Sequence, residues 1–134
     1  MMRLWTKTVY IIPIGKPRAT QRDKWSPSPA VQRYRAWADL FRAKLGSYPR
    51  DPVGVSWVAY LPIPPSWSKK KKAEMSGGYH RSTPDRDNID KAILDSMFKR
   101  DEGVAFGIIN KYWDDGEGPR IEITLISLDC DPAL

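Results

Sequence analysis

A chain of 134 residues is most simply one domain with a single modest core. Its 22 Lys+Arg against 16 Asp+Glu give a formal net charge of +6 on ordinary globular apolar content, which argues against a disordered chain and favours a polyanionic partner, although many basic proteins never touch nucleic acid. One cysteine, Cys130, allows neither an intrachain disulfide nor a cysteine-built zinc cluster. Polar residues interrupt every apolar run after Met1-Met2-Arg3, so a cytoplasmic protein with no export signal and no membrane span is expected.

Residues 5–13 read as a strand, with Trp5, Lys7, Val9 and Ile11 alternating with Thr6, Thr8, Tyr10 and Ile12 until Pro13 stops the run. Gly15 to Pro29 is a loop carrying Lys16, Arg18, Gln21, Arg22 and Lys24. Helical spacing follows: Val31, Tyr34, Ala38, Phe41 and Leu45 form one stripe, Arg33, Arg35, Arg42 and Lys44 lie off it, and Gly46 is a natural cap. Tyr34, Trp37 and Phe41 read better as core than as a base-stacking platform. A second strand over 53–61 puts Val53, Val55, Trp57, Ala59 and Leu61 on one face and ends at Pro62, Pro64 and Pro65. Ser66 to Gly78 is a polar loop with room for a short helix around Lys69-Lys70-Lys71-Lys72. A second helix starting near Asp87 or Asn88 buries Ile89, Ile93, Leu94, Met97 and Phe98. Strands at 104–112 and 120–127 close the chain, with Asp114-Asp115-Gly116-Glu117-Gly118 between them as a hairpin loop. The order β-α-β-α-β-β predicts one α/β (α+β) domain over 1–134: a mixed sheet with two packed helices and a C-terminal antiparallel hairpin.

Asp85 and Asp87 are the chemically suggestive pair. Two residues apart in an extended segment, they project to one side, and Thr83-Pro84 favours such an extended approach. The chain then turns into a helix, with Asp87 or Asn88 placed to cap its free N–H groups. Two close carboxylates repel unless a cation lies between them, and oxygen-only ligands suit Mg²⁺. Two readings stay open on spacing alone: a metal pair, or a helix cap beside a solvated loop residue. Lys91 is equally divided. It stands one turn after Asp87, either as part of an exposed Asp87–Lys91–Asp95–Lys99 ladder or aimed at a phosphate.

The stretch Pro84-Asp85-Arg86-Asp87-Asn88-Ile89-Asp90-Lys91-Ala92-Ile93-Leu94-Asp95 closely resembles the signature of the RusA family of Holliday junction resolvases, P-D-x-D-N-x-x-K-x-x-x-D, common in prophages. His80, the Asp101-Glu102-Gly103-Val104 segment, the Gly15-Lys16-Pro17-Arg18 loop and the closing Pro119-Arg120-Ile121-Glu122-Ile123 extend the likeness more loosely. The resemblance implies that Asp85 and Asp87 are the motif aspartates and Lys91 the motif lysine. Counting back from Val104 places the third carboxylate on Asp101. Arg100 stands where the first acid of the usual pair would be, which leaves Glu102 as an alternative ligand. Asp114 and Asp115 are read as a hairpin tip, and His80 as a solvated loop residue outside the core site.

The implied activity is Mg²⁺-dependent hydrolysis, with Mn²⁺ as an alternative ion, that resolves four-way DNA junctions by paired nicks in recombination and repair. The implied setting is a bacterial cytoplasm or the phage within it. Paired nicks imply a homodimer on branched double-stranded DNA. Lys16, Arg18 and Arg22, and the run Lys69, Lys70 and Lys71, are the expected DNA backbone contacts, which position the duplex without reading its sequence. Two alternatives remain: a non-catalytic branched-DNA-binding protein on the same scaffold, toward which Arg100 points, and a metal nuclease preferring flaps or simple branches.

Overall fold

Alternating burial builds the sheet. In β2 (Gly54–Leu61) the side chains of Val55, Trp57, Ala59 and Leu61 are buried, while Ser56, Val58 and Tyr60 between them are not. β4 (Arg120–Leu128) does the same with Ile121, Ile123 and Leu125. These strands occupy the middle of a four-stranded sheet of order β1-β4-β2-β3, flanked by β1 (Met2–Val9) and β3 (Phe106–Trp113). β4 runs antiparallel to both neighbours, and β3 runs parallel to β2. The sheet is mixed, as expected, and the computed structural model describes residues 2–128, so Cys130 lies outside the described residues.

One detail of the expected topology is corrected. β3 and β4 are consecutive and antiparallel, but they do not pair as a hairpin, because β2 lies between them. The connection therefore spans two inter-strand spacings, about 10 Å. The burial pattern fits this placement. β4 alternates well enough to be buried among neighbours, whereas β3 exposes Phe106 and Ile108 and suits an edge. The first strand is also displaced toward the N-terminus from the expected 5–13, beginning at Met2. It ends at Val9, although Ile11 is still buried and Trp37 Nε1 donates to the Ile12 carbonyl at 2.8 Å.

Two helices cover one face of the sheet. α1 (Pro29–Leu45) starts at a Ser28 cap whose hydroxyl accepts from the Val31 N–H at 3.3 Å, and it ends where Gly46 takes φ 70°. α3 (Arg86–Met97) packs on α1 and β3. Between helices and sheet, Phe41, Trp57, Ile89, Ile93, Ile121 and Leu125 are fully buried. Side chains of this size each contribute roughly 1.5–3 kcal/mol by leaving water. Trp37 and Phe41 stack within this core at 4.9 Å, and Tyr34 is only half-buried at its margin. α2 (Lys69–Met75) buries nothing. It is a surface turn of helix capped by Ser68, with Lys71 over the Trp67 ring at 4.2 Å.

The other face of the sheet has no helix. Strand register places Leu4, Ile126, Gly54 and Phe106 in one row across it, and Thr6, Thr124, Ser56 and Ile108 in the next. Leu4 and Ile108 are more than 60% exposed there, at 69% and 62%.

Candidate active site

The N-terminus of α3 carries the aspartate pair in an unexpected arrangement. The cap is Asp85, not Asp87 or Asn88, and its backbone is extended at φ −65° and ψ 149°. Its carboxylate makes no capping hydrogen bond. A side-chain cap is worth about 1 kcal/mol to a helix, and Asp85 forgoes it. Asp87 lies inside the first turn. Both carboxylates are exposed and accept no hydrogen bond among the described residues. The first helical bond runs from the Ile89 N–H to the Asp85 carbonyl at 3.1 Å, which leaves the N–H groups of Arg86, Asp87 and Asn88 without acceptors among the described residues. Free N–H groups at the positive end of a helix dipole suit a phosphate oxygen.

The segment leading into this turn is held by β3. Trp113 N–H donates to the Gly78 carbonyl at 2.8 Å and His80 N–H donates to the Lys111 carbonyl at 3.1 Å, so residues 78–80 run along the strand edge. This pairing corrects the reading of His80 as a solvated loop residue. It is 5% exposed, its ring lies 4.1 Å from that of Trp113, and its Nδ1 has no hydrogen-bond partner among the described residues. Burial, and then the charge of Lys111, hold its pKa below the ordinary histidine value. Beyond His80 the Lys111 ammonium donates to the carbonyls of Ser82 at 2.7 Å and Pro84 at 2.8 Å. Burial lowers the Lys111 pKa, and the nearby Asp85 charge opposes that shift.

The basic loop before α1 reaches the same place. Lys16 N–H donates to the Asn88 carbonyl at 3.0 Å, and a Cβ on Gly15 would stand 3.0 Å from Pro84 Cβ, so only glycine allows this approach without displacement. The Lys16 ammonium pairs with Asp95, the last acid of the signature, and its loop is thereby fastened to α3. Both partners are about a third or more exposed, so the pair itself contributes little beyond placement. Arg18 and Arg22 are exposed further along, in a loop closed by the buried Asp23, whose carboxylate accepts from Thr20 N–H at 2.7 Å and Ser28 N–H at 2.8 Å. Those backbone hydrogen bonds lower its pKa. Lys69 and Lys70 are exposed on α2.

The helix ladder does not form. Asp95 is taken by Lys16, Lys99 lies beyond the end of α3, and the exposed Lys91 makes no ion pair among the described residues. Asp101 lines a groove of about 370 Å³ between α3 and the start of β3, together with Asp90, Leu94 and Val104. Asp90 drew no weight from spacing, yet Trp57 Nε1 donates to it at 2.7 Å and orients it. Its signal in the sequence was only an acid on the half-buried flank of the helix. Arg100 and Glu102 pair with each other on the surface. Asp114 and Asp115 are no site: Asp115 binds the buried Arg120 through both oxygens at 3.0 Å, and Asp114 accepts from the Gly116 and Gly118 N–H groups. Arg120 holds the Asp115 carboxyl down at about 2.

The oxygen-only donors Asp85 and Asp87 fit a hard cation such as Mg²⁺, which uses one or two carboxylates and fills its remaining positions with water and phosphate. Among the described residues, no three His, Cys, Asp or Glu side chains converge into a metal-holding group, so Asp101 does not join the pair to form a closed cluster. The family model for endodeoxyribonuclease RusA matches residues 10–126, from the end of the first strand through nearly all of the last. A comparison with curated proteins returned no match.

Proposed function

Because the chain belongs to the RusA endodeoxyribonuclease family, we propose that it resolves four-way DNA junctions by Mg²⁺-dependent, paired incision at the N-terminus of α3. The observation that carries this reading is the state of Asp85 and Asp87. Two exposed carboxylates decline the helix N–H groups beside them, so acid donors and N–H groups without acceptors among the described residues lie together at one helix end.

In this reading Asp85 and Asp87 hold the ion, with Asp101 brought in from the groove when DNA is bound. A bound Mg²⁺ supplies Lewis acidity toward a phosphodiester and lowers the pKa of water. The chain supplies the rest. The unpaired N–H groups of Arg86, Asp87 and Asn88 orient a phosphate, and Lys91, free of ion pairs, adds positive charge as negative charge builds on the phosphoryl oxygens. Arg18, Arg22, Lys69, Lys70 and Lys71 hold flanking phosphates, and Lys16 braces the loop that carries them. Mn²⁺ is an alternative ion. A homodimer places two such sites on the two-fold junction, and the uncovered sheet face supports that assembly.

The test is incision of a synthetic four-way junction. Wild-type protein is expected to nick opposing strands symmetrically in Mg²⁺ and to bind without cutting in EDTA. Asp87→Asn and Asp101→Asn should each lose cutting by about a hundredfold or more while keeping junction binding. Asp115→Asn, which loses only the Arg120 pair, should keep cutting and melt at a lower temperature. Cutting in EDTA, or undiminished cutting by Asp87→Asn, would remove the metal mechanism. Binding without cutting in either ion would leave a branched-DNA-binding protein on the same scaffold.

A further inference from the structure

Lys111 stands where the alternation of an edge strand calls for an apolar side chain. Toward the helices β3 presents Gly107, Ile109, Lys111 and Trp113, and the residue beside Lys111 on β2 is the fully buried Ala59. A small neighbour leaves room for a lysine stem, but half-burying an ammonium still costs solvation. The ammonium finds its partners in one short stretch: two of its three donors go to the carbonyls of Ser82 and Pro84, at 2.7 and 2.8 Å. That stretch ends at Asp85, whose charge Lys111 feels. Backbone pairing ties residues 78–80 to the same strand, and it stops at His80. Between there and the first turn of α3, the two hydrogen bonds of the lysine link the chain to β3.

We propose that Lys111 is a positioning residue of the nuclease site, fixing the Ser82 and Pro84 carbonyls so that Asp85 and Asp87 are presented together, and offsetting the repulsion between them while no cation is bound. This rests on the nuclease reading of the α3 N-terminus. Lys111 spends its donors on carbonyls, so its part is the placement of Asp85 rather than contact with the scissile phosphate. The fold packs a strand residue beneath the active-site turn, and that is how the sheet governs the geometry of a loop it does not contain.

The experiment compares wild type, Lys111→Met, Lys111→Arg and Lys111→Gln on the same junction. Lys111→Met is expected to cut about 10- to 100-fold more slowly at saturating Mg²⁺ and to need several-fold more Mg²⁺ for half its maximal rate. Junction affinity in EDTA should stay within about twofold, because the lysine positions the site rather than holding DNA. Amide exchange at Arg86, Asp87 and Asn88 in the metal-free protein should rise without a matching rise in α1. Lys111→Arg keeps the charge and the donors and should recover most of the rate, whereas Lys111→Gln should fall with Lys111→Met.

A purely structural role would lower the melting temperature and leave the Mg²⁺ response unmoved; that result, or wild-type cutting by Lys111→Met, overturns the proposal. If Lys111→Met does not fold, the comparison of Lys111→Gln with Lys111→Arg decides, and equal rates overturn it. Failure of wild type itself to cut would instead sink the nuclease reading.

Discussion

His80 sits at the junction of stability and site geometry. Its ring is buried against Trp113, its Nδ1 is unpartnered among the described residues, and the positive charge of Lys111 is nearby. The folded protein therefore holds it neutral, with a pKa below the ordinary 6.5 of the unfolded chain. The unfolded state takes up the proton first, so His80 contributes stability above 6.5 that is lost as the pH falls toward the depressed folded value. Melting temperature should fall between about pH 7 and pH 5, and His80→Gln should flatten that fall. An unchanged slope in the variant would assign the dependence elsewhere. Asp115 does not confuse the measurement: Arg120 holds its carboxyl at about 2, so its contribution disappears only below the usual carboxylate range. Asp85, Asp87 and Lys91 were marked in the sequence by the signature, and their part in cutting is the proposal. Asp90, His80 and Lys111 were not, because their environments come from Trp57, Trp113 and the carbonyls before Asp85, all distant in sequence.

Among the elements, the helices were read best. The stripe Val31, Ala38, Phe41 and Leu45 and the run Ile89, Ile93 and Met97 are buried as their periodicity requires, and Gly46 caps α1. The start of α3 was less clear, since Asp85, Asp87 and Asn88 are all acceptable caps and only the backbone conformation chooses among them. The last two strands were read in the right place but with the wrong neighbour. An Asp-Asp-Gly connection looks like a hairpin tip whether it joins adjacent strands or crosses over one, and here it also wraps the buried Arg120, whose guanidinium lies 3.7 Å over Tyr60. α2 allows a clean test. It buries nothing and projects Lys69 and Lys70, with Lys71 over Trp67, so replacing all three with Ala should leave the melting temperature nearly unchanged. On duplex arms, the slope of log affinity against log salt should become shallower by about 2 to 3 units if each lysine meets a phosphate. An unchanged slope would return the run to a solvated surface helix.

For the whole molecule, what matters is that helices cover only one side of the sheet. Leu4, Phe106 and Ile108 remain on the other side, with half-buried Ile126 between them. If the proposed homodimer forms, this uncovered apolar face is the surface expected to meet the second copy. Leu4→Glu combined with Ile108→Glu should convert a dimer to a monomer in sedimentation and turn paired incision into single nicks. A wild-type monomer at micromolar concentration that still makes paired nicks would refute the sheet-face dimer. The sequence by itself determined the helices, the strand segments and the signature at Asp85, Asp87 and Lys91, because periodicity and motif spacing are local properties of the chain. Tertiary structure alone decided that β2 separates β3 from β4, that His80 is buried, that Asp90 and Asp101 line one groove, and that Lys111 grips the turn before Asp85. Each of these depends on which distant segments share a sheet edge, and side-chain pattern along one strand carries no record of its neighbour.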